Sequence, residues 1–277
     1  MALGTNHVTK TTADKFIPEI WSDEIIAAYK ANLVAANLFS KMSFKGKKGD
    51  TLHIPKPTRG SASAKAASTQ VTLIAATESE VQVLINKHYE YSRLIEDIVE
   101  TQALSSLRRF YTDDAGYALA TQVDTDLIQL GRAVGTGTAY STAAASTNAF
   151  IGSTGATVYN SSTSNAAALG DAGIRRSIQR LDDADVPMSD RFLIVPPTTR
   201  NTLMGLARFT EQSFTGEAAG GNTIRNGQIG DVYGVKVYVS TNADTAAGNS
   251  ATDRICLLAH KDAFVLAEQM GVRSQTQ

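Results

Sequence analysis

The residues best suited to chemistry are few and scattered. The chain has four histidines, His7, His53, His88 and His260, and a single cysteine, Cys256. No two of them follow the spacings that close a zinc or haem site, so neither is expected. Cys256 and His260 would in principle make a nucleophile and its base. But Cys256 lies in the apolar run Ile255-Cys256-Leu257-Leu258, which predicts a buried and inert thiol. Asp182, Asp183, Asp185 and Asp190 form the densest acidic cluster. Carboxylates can hold a hard cation, but this spacing is not that of a calcium loop. Asp182 and Asp183 also fall at an expected helix end, so a solvated terminus and turn is the simpler reading. Gly131-Arg-Ala-Val-Gly135-Thr-Gly137 is rich in glycine like a phosphate-cradling loop. It follows a helix instead of joining a strand to one, and no Gly-Lys-Ser/Thr completes it. No catalytic, cofactor or metal residue is therefore assigned, and no enzymatic activity is expected.

The totals agree with a protein that does not act by chemistry. Of 277 residues, 43% are hydrophobic and 19% charged, enough apolar surface for a sizeable core. The formal net charge of −1 argues against a dedicated nucleic-acid binder. No apolar run approaches the roughly 18 residues of a membrane span, and Met1–Lys10 lacks a signal-like apolar core. A soluble, unexported protein without a membrane partner is expected. One cysteine excludes disulfides within the chain, as suits a reducing compartment.

The dominant element is a long helix expected over Leu94–Leu130. Leu104, Leu107, Tyr111, Ala115, Leu119, Val123, Leu127 and Leu130 recur three or four residues apart, which keeps one stripe on one face. Before it, Met1–Phe16 reads as a polar arm, and Trp21, Ile25, Ala28, Tyr29, Leu33 and Ala36 predict a helix over about Glu19–Phe39. Between the two helices, Thr51-Leu52-His53-Ile54 alternates as a strand, and Pro55 and Pro57 confine it to an edge or an isolated ribbon. Thr58–Gln70 has no large apolar residue. Val81, Val83 and Ile85 alternate again, with Tyr89 and Tyr91 in phase. Phe44–Tyr91 thus reads as a long two-stranded excursion with a polar tip, marginal without a surface to lie on.

Charge is divided along this region. Lys41–Lys65 has seven basic residues, Lys41, Lys45, Lys47, Lys48, Lys56, Arg59 and Lys65, against Asp50. Thr77–Glu100 has Glu78, Glu80, Glu90, Glu96, Asp97 and Glu100 against Lys87 and Arg93. A basic excursion beside an acidic base would suit contact between copies; two solvated faces are the plainer alternative. Trp21, Lys45, Lys47, Lys48, Lys56, Arg59, Lys65, Glu78, Glu80, Glu96 and Asp97 are the candidate contact residues.

Ala133–Gly170 has no Lys, Arg or Glu and no Asp, and marks an internal boundary. Beyond it a helix is expected over Asp171–Asp185 and a buried strand over Arg191–Val195, stopped by Pro196-Pro197. Thr198 then reads as the cap of a helix to about Ala207. Phe209–Asn226 reads as a loop. A strand pair follows over Ile229–Ser240 with its turn at Tyr233-Gly234. Asp244–Asp253 reads as a polar loop, and Ile255–Ala259 and Ala263–Glu268 as strands. The chain stops soon after, so a final strand is expected to be missing.

This order resembles the major capsid proteins of tailed bacteriophages with the Hong Kong 97-type shell fold. The local sequences that carry the resemblance are Ile17-Pro-Glu-Ile-Trp21, Gly49-Asp-Thr-Leu-His-Ile-Pro55, Arg191-Phe-Leu-Ile-Val-Pro-Pro197 and Gly230-Asp-Val-Tyr-Gly-Val-Lys-Val-Tyr238. The resemblance implies an α+β fold with an N-terminal arm (1–43) and an extended β-hairpin loop (44–92). It further implies a peripheral domain with a spine helix (93–164), an axial domain (165–260) and a return to the peripheral domain (261–277). It implies hexamers and pentamers around packaged double-stranded DNA, with only non-specific proximity to that DNA. A scaffolding protein and a portal would take part, with room for a decoration protein, and assembly would occur in the host cytoplasm. No covalent crosslink is expected, since no Asn partner for Lys56 or Lys65 can be identified. An encapsulin-type nanocompartment shell is the alternative on the same fold, and an enzyme with an unrecognised site the alternative of another class.

Overall fold

The computed structural model describes residues 34–45, 48–58, 60–71, 73, 78–93, 106–131, 159, 166, 168–206, 230–247 and 252–273. Two units divide the chain, one of Met1–Lys30 with Tyr91–Leu119 and one of Ala31–Glu90 with Ala120–Gln277. The element order is α1 (Ala35–Leu38), β1 (Ser40–Ser43), β2 (Thr51–Pro57), β3 (Glu78–Leu84), α2 (Ser106–Gln129), α3 (Asp171–Asp183), β4 (Arg191–Val195), α4 (Pro197–Met204), β5 (Asp231–Val232), β6 (Val235–Val239), β7 (Thr245–Ala247), β8 (Thr252–Arg254), β9 (Leu257–His260) and β10 (Val265–Glu268).

The core of the larger unit is organised by β4. Its run Phe192-Leu-Ile-Val195 is apolar at every position because both faces of the strand are covered. The strand is central in a sheet of order β5-β6-β4-β9, parallel to β6 and antiparallel to β9. Successive side chains point to opposite faces. Phe192 and Ile194 therefore join Val34, Ala35, Phe39, Leu127, Ile128 and Ala259 on one side. Leu193 and Val195 join Ile174 of α3, Leu203 of α4, Val232 and Val235 on the other. The Phe39 ring meets Phe192 and Phe264 edge-on, each at 5.1 Å between centroids, a favoured aromatic arrangement.

Most of the expected elements appear, with several differences. The long helix is present as α2 over Ser106–Gln129; residues 94–105 lie outside the described residues, as do the first turns of the helix expected from Glu19. Of the stripe, Leu127 is buried, Tyr111, Ala115, Leu119 and Val123 are half-buried, and Leu130 is exposed. The second strand of the excursion stops at Leu84, short of Tyr89 and Tyr91. Past it, the side chains of Lys87 and Tyr89 bond Asp126 of α2, at 3.0 and 2.5 Å, so this segment serves as a strap on the helix. Thr198 is not the cap of α4. Pro197 takes the first helical position, where its missing N–H costs nothing, and Pro196 precedes it. The expected polar loop at Asp244–Asp253 holds a short antiparallel pair, β7 with β8. Ala246 there is buried with Tyr159, one apolar anchor in a polar sequence, too little to reveal a strand pair. Residues 34–43, assigned by resemblance to the arm, contribute Val34, Ala35 and Phe39 to the core, and β1 pairs in parallel with β10. The turn at Tyr233-Gly234 is as expected, with φ of 53° and 80°, the mirror-type hairpin turn that glycine favours. The loop expected at Phe209–Asn226 lies outside the described residues.

Candidate subunit interface

Among the described residues, Cys256, His260 and Asp182 each have a local partner. Cys256 bonds the Thr199 hydroxyl at 3.6 Å, and burial pushes its thiol up, which disfavours the reactive thiolate. His260 accepts the Asp262 amide through Nδ1 at 3.2 Å. Among the described residues no cluster of three or more His, Cys, Asp or Glu could hold a metal. Asp182, from the acidic cluster, pairs with Arg191 at 2.7 Å.

What the fold does present is the β2–β3 ribbon. Its register pairs Leu52 with Val83 and Ile54 with Val81. Alternation places these four apolar residues on one face. Three are half-buried and Val81 is exposed. The other face carries His53, Gln82, Glu80 and Glu78. There His53 meets Glu80 at 3.0 Å, and Gln82 donates to Glu80 at 2.6 Å. These two bonds, the Gln82 one foremost, hold the Glu80 carboxyl below its ordinary range. Beyond the strands, residues 60–71 and 73 are exposed at the tip.

Polar bonds mount both feet of the ribbon. On the outgoing side, Phe44 N donates to Glu268 O at 2.8 Å, Lys45 pairs with Glu268 at 3.2 Å, and Gln269 donates to Gly49 O at 2.9 Å. On the return side, Asp126 takes Lys87, Tyr89 and, at 3.2 Å, Gln122. Ile85 N donates to Asp50 O at 2.8 Å and ties the two feet together.

The candidate contact residues are distributed unevenly over this frame. Lys45 is engaged within its own chain. Lys48, Lys56, Lys65 and Glu78 are exposed. Glu78 and Glu80 stand on β3 itself, opposite Pro57 and Pro55. The ribbon therefore carries both signs of charge, with Lys56 on β2 and Glu78 and Glu80 on β3. Trp21, Lys47, Arg59, Glu96 and Asp97 lie outside the described residues.

Sequence reasoning passed over two residues that fix the frame. Asp124 is 0% exposed. Its Oδ1 accepts Val34 N at 3.0 Å and Ala35 N at 2.7 Å, and its Oδ2 accepts Asn242 Nδ2 at 3.0 Å. It thereby satisfies the opening amides of α1, which that short helix cannot pair itself. Arg191 is buried as well; it donates to Pro187 O at 2.8 Å and Val186 O at 2.6 Å besides pairing with Asp182. The only signal for Asp124 was a carboxylate beside the apolar stripe. For Arg191 it was a charge opening an otherwise apolar run.

The family model described as phage capsid protein matches residues 93–274. Among solved structures, a chain from Mycobacterium phage Che8 is 25% identical with a TM-score of 0.70, covering 92% of this chain and 84% of its own. The capsid structure of the cyanophage P-SCSP1u is 18% identical with a TM-score of 0.70, covering 97% and 84%. The mature capsid of bacteriophage PhiM1 is 16% identical with a TM-score of 0.64, covering 91% and 80%. No curated protein matches the chain.

Proposed function

The chain belongs to the phage capsid protein family, and we propose that it is the major shell subunit of a tailed bacteriophage, built on the Hong Kong 97-type fold. Its role as a structural, non-enzymatic component of a viral capsid follows from the family. The finer reading has copies assembling into hexamers and pentamers that close an icosahedral shell around double-stranded DNA. The arm would end near residue 43, the extended loop near 92, the peripheral domain near 164 and the axial domain near 260, with the remainder returning to the peripheral domain. A scaffolding protein, a portal and a decoration protein are the partners that such a shell would use, with assembly in the host cytoplasm. DNA would touch the shell without sequence recognition, as suits a net charge of −1.

The observation that supports this reading is the ribbon. A two-stranded ribbon is marginal alone in water. This one holds Leu52, Ile54, Val81 and Val83 on one face and is mounted by polar bonds at its feet. Laid across a neighbouring subunit, that face would gain the cover it lacks, with the charged face outward. Trp21 of the arm would dock in the same lattice. Deletion of Thr58–Gln70 tests the lattice role. The expected result is soluble, folded subunits that fail to form large assemblies in sedimentation. Unchanged particle yield would refute it.

A further inference from the structure

A second exposed surface carries charge opposite to that of the ribbon tip. The loop from Ala184 to Asp190 joins α3 to β4 and ends in the apex Pro187-Met188-Ser189, where Met188 is 75% exposed. An exposed apex of this kind is usually mobile, yet this one is braced. The Arg191 side chain, 3% exposed, reaches under it to Pro187 O, Val186 O and Asp182. Asp185 N donates to Asp182 O at 3.0 Å, Val186 N to Leu181 O at 3.1 Å, and Lys261 N to Asp190 O at 3.2 Å. Asp185 and Asp190 both take left-handed backbone, with φ of 56° and 54°, which costs a non-glycine residue stability. So much bracing around one uncovered methionine presents it in a fixed position, as an anchor residue at an interface requires. Asp183, Asp185 and Asp190, in and beside the same loop, are exposed.

The ribbon tip is the complement. Residues 60–73 contain Lys65 and no acid. Val71 is 61% exposed and Leu73 91%. Neither surface is covered by the chain that carries it. In a shell of identical copies, contacts that join two unlike patches propagate from subunit to subunit. We propose that the Met188 apex receives the ribbon tip of a second copy, with Val71 and Leu73 packing on Met188 and Lys65 facing Asp183 and Asp185. This rests on the reading of the ribbon as the element that reaches a neighbour.

The test uses full-length chains in assembled particles. In a Cys256→Ala background, Leu73→Cys and Met188→Cys are combined and treated with a short bis-maleimide crosslinker. The expected result is a ladder of covalent multimers from the double variant and monomer from each single variant. Particles that form but yield only monomer overturn the Met188 assignment and leave the lattice role of the ribbon intact, since that role is read by the Thr58–Gln70 deletion. A charge reversal decides the matter if the cysteine variants do not assemble. Lys65→Glu or Asp183→Lys alone should lower particle yield roughly tenfold, and the two together should restore most of it. Single variants at wild-type yield, or a double variant no better than the singles, overturn the proposal.

Discussion

Replacing Asp124 by alanine removes the acceptor that closes the start of α1. The Val34 and Ala35 amides, bonded at 3.0 and 2.7 Å, are left unpaired in a buried site, and Asn242 loses its partner at 3.0 Å. Each unmet buried donor costs roughly 1–3 kcal/mol. The two backbone donors together give about 4 kcal/mol. Alanine's better helix propensity in α2 returns about 0.6 kcal/mol, which leaves a loss of about 3 kcal/mol. For a chain of 277 residues that lowers Tm by roughly 5–6 °C. Urea unfolding of unassembled subunits, followed by circular dichroism, measures the change. Asp124→Asn separates capping from bulk. Its carboxamide oxygen keeps both backbone bonds while Asn242 turns its own oxygen inward, so a loss of about 1 kcal/mol is expected. An alanine variant within about 0.5 kcal/mol of wild type, or an asparagine variant as damaged as the alanine one, would refute the reasoning.

Two further outcomes follow from the packing and the titratable groups. Phe39→Ala removes the ring between Phe192 and Phe264 and should cost about 3–5 kcal/mol in the same urea experiment. The Tyr159 hydroxyl, pushed up to about 12 by burial and by the Asp253 carboxylate it bonds at 2.8 Å, should hold its proton in the folded state after an unfolded tyrosine has lost it. A raised folded value means stability that is intact below about pH 10 and is lost as pH rises toward 12. Tyr159→Phe should remove one tyrosine's share of the alkaline absorbance change from the region near pH 12; an unchanged titration there would contradict the assignment.

The parts of the fold that were legible share one property: local pattern and burial agree. Phe192-Leu-Ile-Val195 read as a buried strand because both of its faces are covered. The Tyr233-Gly234 turn was legible because its backbone conformation restricts residue type. β7 and β8 were not legible, since their one buried apolar residue, Ala246, packs with Tyr159, far away in the chain. The end of β3 was misplaced because Tyr89 keeps the alternation of a strand while its hydroxyl bonds Asp126. The site was less legible than the fold. Charge counting gave the sign of Glu78 and Glu80 but not their partners, which the register sets opposite Pro57 and Pro55. Asp124 and Arg191 act through partners 90 and four residues away in sequence, and no spacing rule announces such pairs.

The shell role itself is tested most directly by negative-stain electron microscopy of the purified full-length chain, expressed with its scaffolding partner where one is needed. Closed, uniform icosahedral particles are the expected result. Monomers and dimers alone, across all buffers and with the partner present, would contradict it.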